Sequence, residues 1–145
     1  MASIRKEIGV KLGPDEVWSV LADVGAVHTR LARGLVTATT LEGNERVVTF
    51  SNGQVARERI VTVDGAARRL VYAVVGGRFA HHSASFEVCD GPAGTTTLVW
   101  LADVWPDDQA TGLDVMMELG VQAIERTLGP RERVAPEVPC TGQVR

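Results

Sequence analysis

Much of the chain places apolar residues at every second position, a spacing that predicts β-strands. The first such stretch covers residues 4–12, where Ile4, Ile8 and Val10 fall in one phase. After residue 35 the spacing recurs between short turn signals, of which Asn52-Gly53 is the strongest. These later stretches predict six more strands, at residues 35–42, 46–51, 55–64, 68–75, 81–89 and 96–104.

Two short stretches after the first strand follow helical spacing instead. Pro14 suits the first position of a helix, and the acidic residues Asp15 and Glu16 suit the positive end of its dipole. A second short helix is predicted at residues 26–33, with Gly34 as its stop. Both helices therefore precede the run of six strands.

A long apolar stripe at helical spacing predicts one further helix near the end of the chain. This helix starts close to Ala110 and ends at Gly129-Pro130. Residues 130–145 contain three prolines and show no periodicity, so they are predicted to form a tail. Residues 1–129 are predicted to form one domain.

This order of elements predicts an α+β fold. Consecutive strands joined by short turns favour a seven-stranded antiparallel sheet, and one face of such a sheet needs a cover. The long C-terminal helix is the element that can supply it. Because one helix is narrower than a curved seven-stranded sheet, a hollow is predicted between them, and such a hollow suits a small-molecule ligand.

Composition and charge narrow the class of protein. The chain has 145 residues, 45% of them hydrophobic, and a net charge of −3. No apolar run has the length of a membrane span, and the first residues lack the apolar core of a signal peptide, so a cytoplasmic location is expected. The two cysteines are far apart and suggest no disulfide framework. The negative net charge argues against a nucleic-acid partner.

Strand alternation also assigns side chains to the inner face of the sheet. In residues 96–104 the phase that holds Trp100 carries no charge, and in residues 81–89 the phase that holds Phe86 is the less polar one. Phe79 lies in the loop at the edge of the predicted cavity. The residues predicted to bind a ligand from these elements are Glu58, Ile60, Tyr72, Phe79, His82, Phe86, Leu98, Trp100, Leu113 and Met117.

Two polar residues of this set have competing interpretations. Adjacent strand residues point to opposite faces, so His81 and His82 do not form a metal pair, and no metal or cofactor is predicted. His82 is either a hydrogen-bonding group in the pocket or an ordinary strand-end histidine. Glu58 is either a ligand-binding or acid/base group, or an exposed residue paired with Arg57 or Arg69.

The stretches "PDEVWSVLADV" (14–24) and "ARERIVTVDGAARRLVYAVVGG" (56–77) resemble the START-like, Bet v 1-like (SRPBCC) superfamily. Within it the chain looks like the bacterial polyketide cyclase/dehydrase and lipid-transport group, over residues 3–129. The resemblance implies the helix-grip fold. Plant abscisic-acid receptors of this superfamily have similar stretches, and there the positions matching Glu58, Tyr72 and His82 line the hormone cavity. Arg33 falls near the receptor lysine that binds the hormone's carboxylate.

Three functions are consistent with these features. The first is binding of a small, largely hydrophobic ligand, lipid- or polyketide-like, by a monomer or weak homodimer. The second is a polyketide cyclase/aromatase or dehydratase, with Glu58, His82 and Tyr72 as proton-transfer groups. The third is a protein-interaction module. No recognisable catalytic constellation decides between them.

Overall fold

The computed structural model describes residues 1–131 and has the predicted α+β architecture. It contains seven β-strands, six of which follow one another along the chain after the first helix. They are β1 (Ala2–Val10), β2 (Val36–Glu42), β3 (Glu45–Phe50), β4 (Val55–Asp64), β5 (Arg69–Val75), β6 (His81–Asp90) and β7 (Thr96–Trp105). Two α-helices accompany them, α1 (Pro14–Ala22) and α2 (Ala110–Leu128).

The strands form one antiparallel sheet in the order β1-β7-β6-β5-β4-β3-β2. Strands β2 to β7 form a meander, and β1 joins the free edge of β7. The register places Phe86 opposite Trp100, and Ile8 opposite Leu98. A register shift between Ile60 and Thr62 interrupts the pairing of β4 with β5. Such an irregularity locally bends the strand, as a curved sheet requires.

Helix α2 covers the concave face of the sheet, as the apolar stripe predicted. Its buried residues are Met117, Gly120, Val121, Ala123, Ile124 and Leu128. Lys6 on β1 fixes the helix from the side, because its ammonium lies 2.8 Å from Asp114 Oδ1 and 3.2 Å from Glu118 Oε2. The hydrogen bonds that Lys6 donates to these two carboxylates raise the pKa of Lys6, and the bond to Asp114 contributes most.

Two predicted segments differ in detail. The second short helix is a single π-helical turn, Val27–Leu31, in which the Ala32 N–H donates to the Val27 carbonyl five residues back. The predicted tail begins attached to the sheet, since Pro130 bridges to Val10 and the Arg131 N–H donates to the Gly9 carbonyl. Residues 132–145, the rest of that tail, lie outside the described residues.

The expectation about the cysteines needs a correction. Cys89, at the end of β6, is disulfide-bonded. The other cysteine of the chain, Cys140, lies outside the described residues. A pattern of two distant cysteines gave no local signal for this bond, because a disulfide depends on proximity in the fold and not on spacing along the chain.

Within residues 1–131, no helix is both long and apolar enough to span a membrane.

Candidate ligand-binding site

A cavity of about 430 Å³ lies between the sheet and α2. Strands β2 to β7 supply its floor and walls, the π-helical turn lies along one side, and α2 forms the roof. Most of its surface is apolar, formed by Val27, Leu31, Val36, Val48, Phe50, Val74, Phe86, Trp100, Ala102, Leu113, Met116, Met117 and Ile124 among others. This volume and lining are typical of a small-molecule pocket.

Three aromatic rings form a continuous wall across the central strands. Phe86 stacks on Trp100 with ring centroids 4.9 Å apart, and Tyr72 lies on the other side of Phe86 at 6.3 Å. Trp100 Nε1 donates a hydrogen bond to the Tyr72 hydroxyl oxygen at 3.1 Å. The register explains the group, because Phe86 and Trp100 are directly opposite each other on β6 and β7. Offset stacking and the hydrogen bond together fix the orientation of the wall.

A buried ion pair forms the polar end of the cavity. Arg46 on β3 donates from Nε to Glu58 Oε1 on β4 at 2.8 Å, across directly opposite positions of the two strands. Their side chains are only 4% and 12% exposed. Arg46 also donates from Nη1 to the Val24 carbonyl at 3.3 Å. A buried charge of this kind is tolerated because its partner and its hydrogen bonds replace lost water.

Tyr72 connects the ion pair to the aromatic wall. The Arg46 guanidinium lies 5.2 Å from the centre of the Tyr72 ring, a cation–π distance. Burial raises the pKa of the Tyr72 phenol above its usual range, and the Glu58 carboxylate adds to this effect. The phenol therefore stays neutral at physiological pH and keeps its O–H as a hydrogen-bond donor.

His82 lies at the side of the cavity where β6 begins. Its ring contacts Phe79 edge-on, with centroids 4.8 Å apart. Burial lowers the pKa of His82 to about 4, and His81 contributes to a smaller extent, so the imidazole is neutral at physiological pH. Its Nδ1 is buried and has no hydrogen-bond partner within residues 1–131. A buried ring nitrogen that lacks a hydrogen-bond partner favours a ligand with a polar group that can pair with it.

Eight of the eleven predicted binding residues line the cavity. They are Glu58, Tyr72, Phe79, His82, Phe86, Trp100, Leu113 and Met117. Ile60 points inward as predicted but packs against the core. Leu98 is also inward-facing and fully buried in the core, and it is not among the residues that line the cavity.

Arg33 lies outside this group. Its side chain is exposed, and its backbone N–H donates to Thr127 Oγ1 at 3.0 Å. The structure therefore does not bring Arg33 to the cavity, where the resemblance to hormone receptors placed it. Arg46 supplies a buried cation in the cavity instead.

Sequence reasoning overlooked Arg46. The signal was present, because Arg46 alternates in phase with Val48 and Phe50, and both line the cavity. A charged residue on an otherwise apolar strand face indicates a buried pair when a carboxylate occupies the facing strand.

Among the described residues, no group of three or more His, Cys, Asp or Glu side chains is placed to hold a metal ion.

Comparison with protein families gives one match over nearly the whole described chain. The family described as "Polyketide cyclase / dehydrase and lipid transport" matches residues 1–129. This confirms the resemblance noted in the sequence. None of the curated proteins matches the chain significantly.

Solved structures with the same fold include several bacterial proteins. A START superfamily protein from Mycobacterium smegmatis is 15% identical, with a TM-score of 0.71 over 87% of this chain and 96% of that one. XoxI from Bacillus cereus is 18% identical, with a TM-score of 0.76 over 88% and 96%. The di-domain ARO/CYC protein BexL, from the BE-7585A biosynthetic pathway, is 19% identical, with a TM-score of 0.73 over 88% and 46%. At these identities the similarity establishes the fold.

Proposed function

This chain belongs to the polyketide cyclase/dehydrase and lipid transport family, and from that membership we propose that it binds one small, largely hydrophobic molecule between the sheet and α2. The family implies either binding of a hydrophobic ligand or polyketide cyclase activity. A lipid- or polyketide-like chain with a polar end matches the chemistry of the cavity.

The observation that carries this proposal is the cavity of about 430 Å³ with apolar walls and polar groups confined to a few positions. Apolar walls provide affinity through burial, at roughly 25 cal/mol per Å² of apolar surface removed from water. The Arg46–Glu58 pair, the Tyr72 hydroxyl and His82 Nδ1 provide directional contacts that orient the guest.

A variant that fills the cavity tests the proposal. Ala102 lines the cavity on β7 and is buried, so Ala102→Leu directs extra carbon atoms into the space. Ala38→Leu adds the same atoms at an exposed position on β2. We expect the neutral dye Nile red to bind the wild type with a rise in fluorescence, and Ala102→Leu to weaken this binding at least tenfold. Ala38→Leu should bind like the wild type, whereas a wild type that fails to bind the dye would contradict the proposal.

The second candidate is a cyclase, and one observation favours it: the His82 imidazole, the Tyr72 phenol and the Arg46–Glu58 ion pair line the same apolar cavity. In an intramolecular aldol step, His82 would take a proton from a methylene carbon between two carbonyls. The resulting enolate carbon would form a bond to another carbonyl of the same chain. The proton would then pass from His82 to that carbonyl oxygen, with Tyr72 as hydrogen-bond donor and Glu58 holding Arg46 in place. A cavity that folds a flexible chain raises the rate of such a step through proximity.

This cyclase candidate is tested with a poly-β-keto substrate. The wild type should shift the products towards one cyclised isomer, and His82→Ala, Tyr72→Phe and Glu58→Gln should each remove that shift. His81→Ala is the matched control, because His81 is exposed on the neighbouring position of the same strand. A product distribution that is the same with and without the wild-type protein would exclude the cyclase and leave the binding function.

A further inference from the structure

The polar end of the cavity contains one cation and one anion that already neutralise each other. Arg46 Nε donates to Glu58 Oε1 at 2.8 Å, and both side chains are nearly fully buried. The same guanidinium donates to the Val24 carbonyl and lies over the Tyr72 ring. The cation therefore has an internal counter-ion before any ligand enters.

The other charged residues around the cavity do not change this balance. Arg57 is paired with Glu42 and Glu45, with its Nη1 atom 3.3 Å and 3.0 Å from their carboxylate oxygens. Arg78 lies in the exposed loop at the edge, where its guanidinium is 5.9 Å from the Phe79 ring. Both side chains reach solvent, where salt screens their charges, whereas the buried pair is screened much less. The interior of the cavity is thus electrically neutral.

A carboxylate ligand can bind in this cavity in two ways, and both carry an electrostatic cost. If it takes Arg46 from Glu58, it leaves a buried carboxylate without a counter-ion, and if it does not, it adds a second negative charge close to the first. A ketone or a hydroxyl group avoids both outcomes. It accepts a hydrogen bond from Arg46 or Tyr72, and a hydroxyl also donates to Glu58, while the ion pair stays intact.

We propose that Glu58 is a specificity-determining residue that makes the cavity select ligands with an uncharged polar end, a ketone or a hydroxyl, over carboxylates of the same chain length. This inference rests on the proposed binding function and names the class of ligand for that site. It also separates the protein from a receptor that binds a carboxylate through a cation, as the position of Arg33 had suggested.

The experiment compares three ten-carbon ligands, 1-decanol, 2-decanone and decanoate, as competitors of Nile red at pH 8. We expect the alcohol and the ketone to bind the wild type at least tenfold more tightly than decanoate. In Glu58→Gln the amide still accepts from Arg46, but the negative charge is gone. The ratio of the decanoate Kd to the decanol Kd should therefore fall at least tenfold.

Two further variants separate the role of Glu58 from general effects. Glu16→Gln removes the same charge from an exposed position on α1, outside the cavity lining, and should keep the wild-type ratio. The double variant Arg46→Gln/Glu58→Gln removes both charges and should restore the preference for decanol, because decanoate then has no cation to bind. If Glu58→Gln does not fold, the wild-type ratio still tests the inference, because decanoate binding as tightly as decanol would refute it.

The outcomes distinguish this inference from the function on which it rests. If decanoate binds the wild type as tightly as decanol does, or if a folded Glu58→Gln keeps the wild-type ratio, the selection by Glu58 is refuted while ligand binding stands. If none of the three ligands nor the dye binds the wild type, the binding function itself fails.

Discussion

At the scale of single residues, Gly120 contributes to the site through the side chain that it lacks. A Cβ atom at this position would lie 2.7 Å from Trp100 Cζ3 and 2.8 Å from Cη2. The indole therefore packs directly on the backbone of α2. This contact holds Trp100 where it stacks on Phe86 and donates to Tyr72.

Gly120→Ala is expected to displace the Trp100 ring, because atoms closer than normal contact must move apart. Overpacking of this kind costs about 1–3 kcal/mol of unfolding free energy. Gly112→Ala on the same helix is the matched control, since a Cβ atom there meets nothing within 4 Å. That control should gain up to about 1 kcal/mol from helix propensity. Urea unfolding measures both values, and equal effects of the two variants would contradict the packing argument.

His82 gives the protein a pH-dependent stability of predictable sign. Its folded pKa of about 4 lies below the ordinary value of 6.5, so the unfolded state binds more protons between these two values. Stability is therefore present in full above pH 6.5 and is lost progressively as the pH falls to 4. Since the ring is partly exposed, we expect a loss on the order of 1 kcal/mol, well below the full linkage value.

The measurement for His82 is the unfolding free energy of the wild type and of His82→Gln between pH 4 and pH 7.5. The difference between the two curves should change across the window below pH 6.5. NMR titration of the His82 ring should give a midpoint near the same low pKa of about 4. Parallel curves for His82→Gln and the wild type would show that His82 titrates normally.

At the scale of elements, helix α2 packs against the rest of the protein through one face and exposes the other. Leu128 is 4% exposed and belongs to the core, whereas Leu119 on the same helix is 44% exposed. Leu128→Ala is expected to cost about 2–5 kcal/mol, the range for a buried leucine that leaves a cavity. Leu119→Ala removes the same atoms and should stay within about 0.5 kcal/mol. Chemical denaturation compares the two, and similar costs would show that α2 packs with a different face.

The elements themselves were predictable because each follows one simple period. Alternation placed all seven strands within a few residues of their observed bounds, and the stripe ending at Gly129 placed α2. The π-helical turn at Val27–Leu31 was predicted as an ordinary helix, because its extra residue per turn leaves little mark on so short a pattern. The disulfide at Cys89 had no local signal at all.

At the scale of the whole molecule, alternation predicted which side chains face inward but not where the hollow lies. Glu58, Tyr72, His82 and Trp100 line the cavity as predicted. Leu98 has the same orientation as Trp100 on β7, yet it is packed solidly. The difference depends on the position of α2 over the sheet, which is a tertiary property. The Arg46–Glu58 pair likewise depends on strand register, and no single segment contains it.

A domain with a hollow under its main helix gains stability when the hollow is filled. A ligand that binds only the folded state adds RT ln(1 + [L]/Kd), about 2.7 kcal/mol when its concentration is one hundred times Kd. For a domain of this size the Tm should then rise by roughly 5–10 °C. We expect 1-decanol to raise the Tm of the wild type in this way, with the rise increasing with the logarithm of its concentration.

The control is 1-butanol at the same concentration, which carries the same hydroxyl group but buries far less apolar surface. Ala102→Leu should show a smaller shift than the wild type, because its side chain already occupies part of the cavity. A Tm that does not respond to decanol, or that responds equally to butanol, would mean that the cavity does not take up a long apolar chain.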